Sequence, residues 1–303
     1  MDRLTSMTVF ARVAAARSFS TAAKELGMSQ ATASKHIQAL ESWVGTRLLN
    51  RTTRRVALTD AGETFFAQCS RILEDMETAR HVGRPHARLR GTLRITAPVS
   101  IGSTILGSVL VGFMRENPDL SLNVTLVDRP VDLIEEGYDL ALQVVHGKPQ
   151  VAAHDMGLVV QSVMEVEFIV CAAPEYLARA GTPETPQDLT KHVCLTDTRH
   201  PGDRWQFLGP EGVIDVPVSG MLKSDNGLLR RQAARAGGGV LLLPALVLRD
   251  DIANGHLVPL LSGYRAPPAS LCAICPGVRV ALPKLRRLIA FLTERLGREG
   301  ERG

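Results

Sequence analysis

Apolar residues recur at helical spacing along the first part of the chain and predict three short helices. The stripe of the first helix consists of Leu4, Met7, Phe10 and Val13. Asp2 is placed to cap this helix, and Ser20 or Thr21 to cap the second, which ends at Gly27. Ser29 follows at once and can cap a third helix. Two helices joined by a tight turn containing glycine form the helix-turn-helix pattern.

The third predicted helix has an apolar and a polar face. The apolar stripe, expected to be buried, is Ala33, Ile37, Leu40 and Val44. The opposite face carries Gln30, Ala31, Thr32, Ser34, Lys35 and Gln38. Small residues allow close approach, and Gln, Ser and Lys side chains bond base edges or phosphates. Exposure to solvent explains the same face equally well, so its spacing alone leaves both interpretations open.

Two short apolar segments after this helix flank an arginine-rich loop. Residues 47–49 and 56–58 are strand-like, and the loop between them reads NRTTRR. Such a β-wing presents cations that suit the narrow, electronegative minor groove of DNA. We therefore expect Arg51, Arg54 and Arg55 to contact DNA. A helix-turn-helix followed by a basic wing is more specific than either pattern alone.

A longer helix is expected to begin after Thr59, which is placed to cap it. Its apolar positions step by four and three residues, the spacing of a coiled-coil seam. They are Phe65, Cys69, Ile72, Met76 and Ala79. This spacing predicts pairing with a second chain, and packing on its own domain is the alternative. Gly83 and Pro85 then break the pattern and indicate a hinge.

Beyond residue 90, strand-like and helical segments alternate and predict an open parallel α/β sheet. The predicted strands are 91–97, 122–127, 139–144, 167–172 and 240–243, with a hairpin across 205–207 and 213–218. The predicted helices are a segment capped by Ser100 and those at 131–137, 224–236 and 283–296. A chain of 303 residues has room for such a domain beside the N-terminal one.

Charge is concentrated in the N-terminal region. Residues 1–60 contain nine Lys and Arg against four Asp and Glu, a net +5, whereas the whole chain carries +4. A basic domain on a nearly neutral remainder favours an anionic partner, with double-stranded DNA the leading candidate. The N-terminus lacks the features of a secretory signal, and no long unbroken apolar run suggests a membrane span. We therefore expect a cytoplasmic protein without a membrane partner.

The first 65 residues resemble the winged helix-turn-helix domain of the LysR-type transcriptional regulators. The resemblance is carried by SFSTAAKELGMSQATASKHIQALE and GTRLLNRTTRRVALTDAG. It implies that Gln30, Ser34 and Lys35 face the major groove and that Arg54 or Arg55 enters the minor groove. It also implies that the long helix joins two subunits. A homodimer or homotetramer, with RNA polymerase as a further partner, follows from the same resemblance.

The remainder of the chain resembles the effector domain of that family, which has a two-lobed, periplasmic-binding-protein-like α/β architecture. The matching segments include RPVDLIEEGYDLAL and RRQAARAGGGVLLLPALVLRDDIANGHLVPLL. The implied organisation is a DNA-binding domain at 1–58, a linker helix at 59–87 and an effector-binding domain at 91–303. Its first lobe comprises 91–162 and 269–303, and its second 163–268. A cleft for a small-molecule effector is expected between them.

Candidate effector contacts lie where the predicted strands end and the predicted helices begin. They are Ser100, Ile101, Gly102, Asp128, Arg129, Gln143, His146, Thr196, Asp197 and Asn226. Many members of the resembled family carry Arg where this chain has Gln143. The missing cation weakens the expectation of a strongly anionic effector.

Two other classes of function remain beside the regulator. A redox sensor would use some of the five cysteines, of which Cys272 and Cys275 form a CxxC motif in a strand-like segment. An enzyme would need a catalytic constellation, and we recognise no nucleophile elbow, phosphate-binding loop or metal-ligand cluster. We therefore expect no catalytic residue, metal or cofactor.

Overall fold

The structure is a computed structural model that describes residues 2–51, 56–80, 89–147, 157–199, 203–209 and 212–300. Side chains are not described at 51, 74, 75, 77–80 and 298–300. The chain divides into two compact units, residues 1–88 and 89–303. Each unit has its own hydrophobic core.

The N-terminal unit consists of four helices and one hairpin. Its elements are α1 (Arg3–Ala16), α2 (Phe19–Glu25), α3 (Gln30–Val44), β1 (Leu49–Arg51), β2 (Val56–Leu58) and α4 (Asp60–Arg80). Asp2, Ser29 and Thr59 accept bonds from backbone N–H groups at the starts of α1, α3 and α4, as expected. The cap of α2 was predicted wrongly: Ser18, not Ser20 or Thr21, accepts the N–H of Thr21. The strands β1 and β2 pair antiparallel, which confirms the wing.

The core of this unit is built from the faces that the helical spacing predicted. Ala33, Ile37 and Leu40 are buried, and Val44 is half-buried beside them. The stripe of α1 and residues of the wing complete this core, which includes Phe10, Val13, Leu48 and Leu49.

The predicted seam of α4 turns partly inward. Phe65 and Phe66 make edge-on contacts with Phe10 of α1. Cys69 is fully buried, and its thiol points to the backbone oxygen of Met7 at 3.5 Å. The start of the seam therefore packs on its own domain, as the alternative held. Ile72 remains 45% exposed, and the side chain of Ala79 lies outside the described residues.

The C-terminal unit contains two mixed sheets rather than the parallel sheet that was predicted. The first sheet has the order β4-β3-β5-β13-β6, and the second β12-β7-β11-β8. Strand β3 pairs parallel with β4 and β5, but β13 pairs antiparallel with β5 and β6. Antiparallel β13 is the segment that returns from the second sheet to the first, a crossing that strand and helix periodicity does not specify.

The strands of this unit are β3 (Gly91–Ala97), β4 (Leu120–Leu126), β5 (Leu140–His146), β6 (Leu158–Val166), β7 (Phe168–Ala172), β8 (Cys194–Leu195), β9 (Arg204–Gly209), β10 (Gly212–Pro217), β11 (Val240–Pro244), β12 (Val258–Leu260) and β13 (Ala269–Pro276). The predicted hairpin is formed by β9 and β10. Because β6 stays paired with β13 as far as Val166, this strand extends past the expected lobe boundary at 162.

The helices of this unit are α5 (Val99–Ile101), α6 (Gly107–Glu116), α7 (Pro174–Ala180), α8 (Gly227–Arg235), α9 (Ala245–Ala253) and α10 (Pro283–Gly300). A π-helical turn, Gly102–Leu106, joins α5 to α6 without a break. The segment 131–137 forms hydrogen-bonded turns instead of the predicted helix. Asp132 there accepts the N–H groups of Ile134 and Glu135, so its side chain supports a local turn.

The continuous helix Val99–Glu116 reaches the length and mean hydropathy, 1.2, of a membrane span, which the sequence analysis did not register. Length and composition alone are weak evidence, because core helices of soluble proteins pass the same test. Its residues Leu106, Leu110 and Phe113 belong to the core of the unit, where Phe113 contacts Phe291 of α10 edge-on.

Candidate functional site

The first candidate surface is the polar face of α3. Gln30, Ala31, Thr32, Lys35 and Gln38 are exposed, and Ser34 is half-buried beside them. The side chains of this face are small near the helix N-terminus, at Ala31 and Thr32, and Lys35 is the cation of the face. Such a surface can approach a phosphate backbone closely and present amide groups to base edges.

Two polar residues of α3 make internal contacts instead of remaining available. His36 is buried, and its Nδ1 lies 2.9 Å from the Ser6 hydroxyl of α1. The side chain of Thr32 bonds the Ser29 cap at 2.8 Å. His36 is therefore a core residue that joins α3 to α1.

The wing is held to α3 by the carboxylate of Glu41. Its Oε1 accepts the N–H groups of Leu48 and Leu49 at 2.9 and 3.1 Å. Thr59, at the start of α4, bonds the carbonyls of Leu48 and Arg47. These bonds fix the direction in which β1 leaves α3. The backbone of Arg51 lies in β1, but its side chain and all of Arg54 and Arg55 lie outside the described residues.

The second candidate site is a cleft of about 820 Å³ in the C-terminal unit. It lies where β3 and β5 of the first sheet, β7 and β11 of the second sheet and the hairpin of β9 and β10 contribute residues. Eight of the ten expected effector contacts line it, namely Ser100, Ile101, Asp128, Arg129, Gln143, His146, Thr196 and Asp197. Gly102 and Asn226 are not among the lining residues.

The start of α5 forms one wall of the cleft. Pro98, not the expected Ser100, occupies the cap position, and the N–H of Val99 donates to Asp128 Oδ1 at 3.1 Å. The next N–H groups, of Ser100 and Ile101, lie in the first turn, where a helix offers no carbonyl of its own. Gly102 bonds Pro98 and packs so closely on Leu126 that a Cβ there would lie 2.3 Å from a methyl group.

The start of α8 faces the start of α5. A Cβ built on Gly227 would lie 3.3 Å from the Cβ of Ser100. The predicted helix at 224–236 begins later than expected, because Asn226 caps it by accepting the N–H of Leu229 at 3.0 Å. Asn226 thus positions α8, and Gly227 is the residue that reaches the cleft.

A buried ion cluster centred on Asp197 occupies the second-sheet side of the cleft. Arg199 donates to both oxygens of Asp197, at 2.9 and 2.6 Å, and Arg230 donates to Oδ2 at 2.8 Å. Burial alone raises the pKa of Asp197, but the hydrogen bonds from Arg199 and the charge of Arg230 outweigh it and hold that pKa below its usual value. Asp197 is therefore ionised and fully engaged at neutral pH.

One hydrogen bond of this cluster crosses the cleft. Arg199 Nη1 donates to the backbone oxygen of Asp128, which follows β4 of the first sheet, at 3.2 Å. Arg129 beside it is held by Glu136 through two bonds of 2.7 and 2.5 Å. The guanidinium of Arg129 is thus already paired with a carboxylate.

Thr96, Arg199 and Arg230 are lining residues that the sequence analysis missed. Thr96 lies near the carboxyl end of β3, a position that the rule on strand ends could have identified. Arg230 lies inside α8, where its helical spacing resembles that of a solvated charge. Only the packed structure places it, almost fully buried, beside Asp197.

All five cysteines are free and buried. Burial raises the pKa of Cys69 to about 11 and the pKa values of Cys171 and Cys194 to about 12. Burial also raises the pKa values of the Cys272 and Cys275 thiols. No group of three potential metal ligands occurs among the residues that the structure describes.

Two family models together match most of the chain. Residues 4–63 match the bacterial regulatory helix-turn-helix protein, lysR family, and residues 86–297 match the LysR substrate binding domain. Among curated relatives, PtxR of Pseudomonas aeruginosa is 33% identical over 98% of this chain and 94% of its own length. DmlR of Escherichia coli is 32% identical over 96% of this chain and 94% of its own length.

Solved structures give the same assignment. CrgA of Neisseria meningitidis, a LysR-type transcriptional regulator, is 30% identical with a TM-score of 0.60, covering 97% of this chain and 98% of its own. The Vibrio cholerae virulence activator AphB is 27% identical with a TM-score of 0.59, covering 97% and 99%. The exposed face of α3 and the cleft thus lie in the two matched domains, and the chain belongs to the LysR family of DNA-binding transcriptional regulators.

Proposed function

We propose that this regulator binds a pseudo-palindromic promoter site as a homodimer or homotetramer and responds to a small molecule in the cleft. The exposed polar face of α3, with its buried stripe fixed in the core, is the observation that carries the proposal. The protein would act in the cytoplasm, on double-stranded DNA and, through it, on RNA polymerase.

Each polar residue of α3 is assigned a contact by its chemistry. Gln30 and Gln38 present amides that can bond adenine edges, and Lys35 a cation for guanine or phosphate. Ala31 and Ser34 allow the backbone to approach, and Thr32, whose hydroxyl bonds Ser29, can present its methyl group to a thymine methyl. Arg51, Arg54 and Arg55 of the wing would follow the minor groove.

The cleft supports a sensing role. Its volume of about 820 Å³ falls within the range of small-molecule pockets. We propose that its two walls are the lobes 91–162 with 269–303, and 163–268, extended at β6 as described above. The bond between Arg199 and Asp128 joins these walls, so a ligand that disturbs or reinforces it would bind the two lobe arrangements with different affinity.

Footprinting on the DNA beside its own gene tests the promoter proposal. The expected result is two protected half-sites related by two-fold symmetry and spaced by about 34 Å or a multiple of it. The variant Ser34→Arg is expected to remove the footprint, because a long side chain would hold α3 away from the groove. The variant Ser42→Arg, on an exposed position outside the proposed contacts, is the control. Protection of a single half-site by a monomer would overturn the oligomeric proposal.

A further inference from the structure

The arginines that line the cleft already form ion pairs with carboxylates of the protein. Arg199 and Arg230 bind Asp197, Arg129 binds Glu136, and Arg204 binds Asp215 at 2.8 Å. Among the described lining residues, each arginine therefore has a carboxylate partner. A ligand carboxylate would have to displace one of these protein carboxylates to gain a comparable ion pair.

Asp128 is the exception among the lining carboxylates. Its Oδ1 accepts the N–H of Val99, but Oδ2 is buried and has no hydrogen-bond partner among the described residues. The guanidinium of Arg199 bonds the backbone oxygen of Asp128 rather than its carboxylate. Asp197, Asp203 and Asp215, by contrast, are paired with Arg199, Lys223 and Arg204. A buried carboxylate oxygen without a donor is costly, and a ligand donor would remove that cost.

Three further buried atoms of the same cleft lack a partner among the described residues. They are the hydroxyls of Thr96 and Thr196, which can donate or accept, and Arg230 Nε, which can only donate. All three residues are more than nine-tenths buried and line the cleft. A ligand that fits these groups has a donor for Asp128 and a neutral acceptor for Arg230.

The rest of the wall near these atoms is apolar. It includes Ile101, Val127, Leu142, Val144, Phe168, Leu242 and Leu243. Burial against this wall favours a ligand with a hydrocarbon or aromatic body. Arg199 and Arg230 both bind Asp197, whereas Oδ2 of Asp128 has no hydrogen-bond partner among the described residues, so Asp128 is the group left for a charged head group.

We propose that the effector of this cleft is a small molecule with a largely apolar body and a protonated amine, whose ammonium group binds Asp128. The proposal rests on the proposed sensing function and specifies its ligand class. It agrees with the absence of a cation at Gln143, because each arginine among the described lining residues already has a carboxylate partner.

A matched panel of amines and carboxylates tests this class. The probes are pairs that share a body, such as benzylamine with benzoate and phenethylamine with phenylacetate, each added to the full-length chain and followed by thermal shift and calorimetry. Amines are expected to raise the melting temperature and carboxylates to leave it unchanged. In Asp128→Asn, amine binding is expected to weaken roughly tenfold or more, because the charge-assisted bond is lost.

The variant and its control separate the charge from the fold. Asparagine keeps an oxygen that can accept the Val99 N–H, so the start of α5 retains its cap. Asp250→Asn, an exposed carboxylate of α9 that does not line the cleft, is the control and is expected to keep amine binding.

Three results would overturn the ligand class: binding by carboxylates alone, amine binding that survives Asp128→Asn, or a panel in which no amine binds. Carboxylate binding in the cleft would leave the sensing function standing. If no probe binds, the footprint experiment decides the promoter function separately.

Discussion

At the scale of single residues, burial determines what the cysteine thiols can do. Cys69 lies in the N-terminal core, and Cys171, Cys194, Cys272 and Cys275 lie in cores of the C-terminal unit. A thiol reacts through its thiolate, and desolvation disfavours that form. The CxxC motif that suggested a redox sensor lies in strand β13 with both cysteines buried. Burial therefore disfavours the thiolates that a redox sensor would need.

We expect the native thiols to resist modification up to pH 8. Burial places the pKa of Cys69 at about 11, so at pH 8 its thiol is protonated, and the thiols of Cys171 and Cys194, with pKa values near 12, are more so. Labelling with a disulfide reagent should proceed slowly in buffer and reach all five thiols in guanidinium chloride. A thiol of the native protein that reacts as fast as free cysteine would contradict this.

The contacts of some residues cannot be predicted from their spacing in the sequence. Ser29 and Asn226 were both recognised as residues near a helix start, but only the structure separates a cap from a ligand contact. His36 lies three residues after Ala33 and four before Leu40, at the edge of the buried stripe, but the Ser6 hydroxyl that holds it comes from another helix. Partners distant in sequence cannot be identified from local pattern.

At the scale of elements, the joint between the wing and α4 depends on one close approach. The backbone oxygen of Leu48 accepts the N–H of Thr59 and passes so near Gly62 that a Cβ there would lie 2.0 Å from it. This contact fixes how α4 leaves the wing. Only glycine fits, because the neighbouring atom belongs to backbone that is itself hydrogen-bonded.

The variant Gly62→Ala is expected to destabilise the N-terminal unit by about 1–3 kcal/mol, the usual cost of overpacking. Gly107→Ala, in a helix with nothing within 4 Å of the added methyl, is the control and should stabilise its unit by about 0.5–1 kcal/mol. Thermal melts in Trp205→Phe and Trp43→Phe backgrounds, each with one tryptophan, report the N-terminal and C-terminal units separately by fluorescence. Equal effects of the two substitutions would contradict the proposed contact.

Most elements could be predicted from periodicity, because helices and strands bury faces of different period. The stripe of α3 and the strands β3, β7 and β11 follow this rule. The return of residues 269–303 to the first lobe follows from the resemblance, but the antiparallel directions of β7, β12 and β13 could not be predicted, because pairing between strands distant in sequence is not contained in their local period. The helix predicted at 131–137 is wrong although Asp132 makes the bonds of a helix cap, because the segment reaches left-handed Gly137 (φ 76°) after little more than one turn.

At the scale of the whole molecule, the apolar stripe of α4 is buried in the domain core at its start and exposed further along. Phe65 and Cys69 contact the domain core, whereas Ile72 is left 45% exposed one turn further along. Single exposed apolar residues are normal on protein surfaces, so the proposed contact of Ile72 with a second chain rests on the heptad spacing. This division explains why the heptad spacing predicted a partner although half of the stripe packs internally.

The variant Ile72→Glu is expected to weaken subunit association roughly a hundredfold or more, because an unpaired charge would be buried at the interface. Gln68→Glu, an exposed neighbour on the same helix, is the control and should leave association unchanged. Sedimentation velocity across a concentration series measures both. Retention of the wild-type assembly by Ile72→Glu would show that the subunits pair elsewhere.

The most direct test of the whole account is the affinity of Gln30→Ala for promoter DNA and for a scrambled duplex, measured by anisotropy at two salt concentrations. We expect the loss of one base contact to weaken promoter binding by about 1–3 kcal/mol and leave scrambled binding unchanged. Both affinities of the wild-type protein should fall steeply as salt rises. Gln68→Ala on α4 is the control. Promoter binding that is unaltered in Gln30→Ala, or weakened equally on both duplexes, would contradict base recognition through this face of α3.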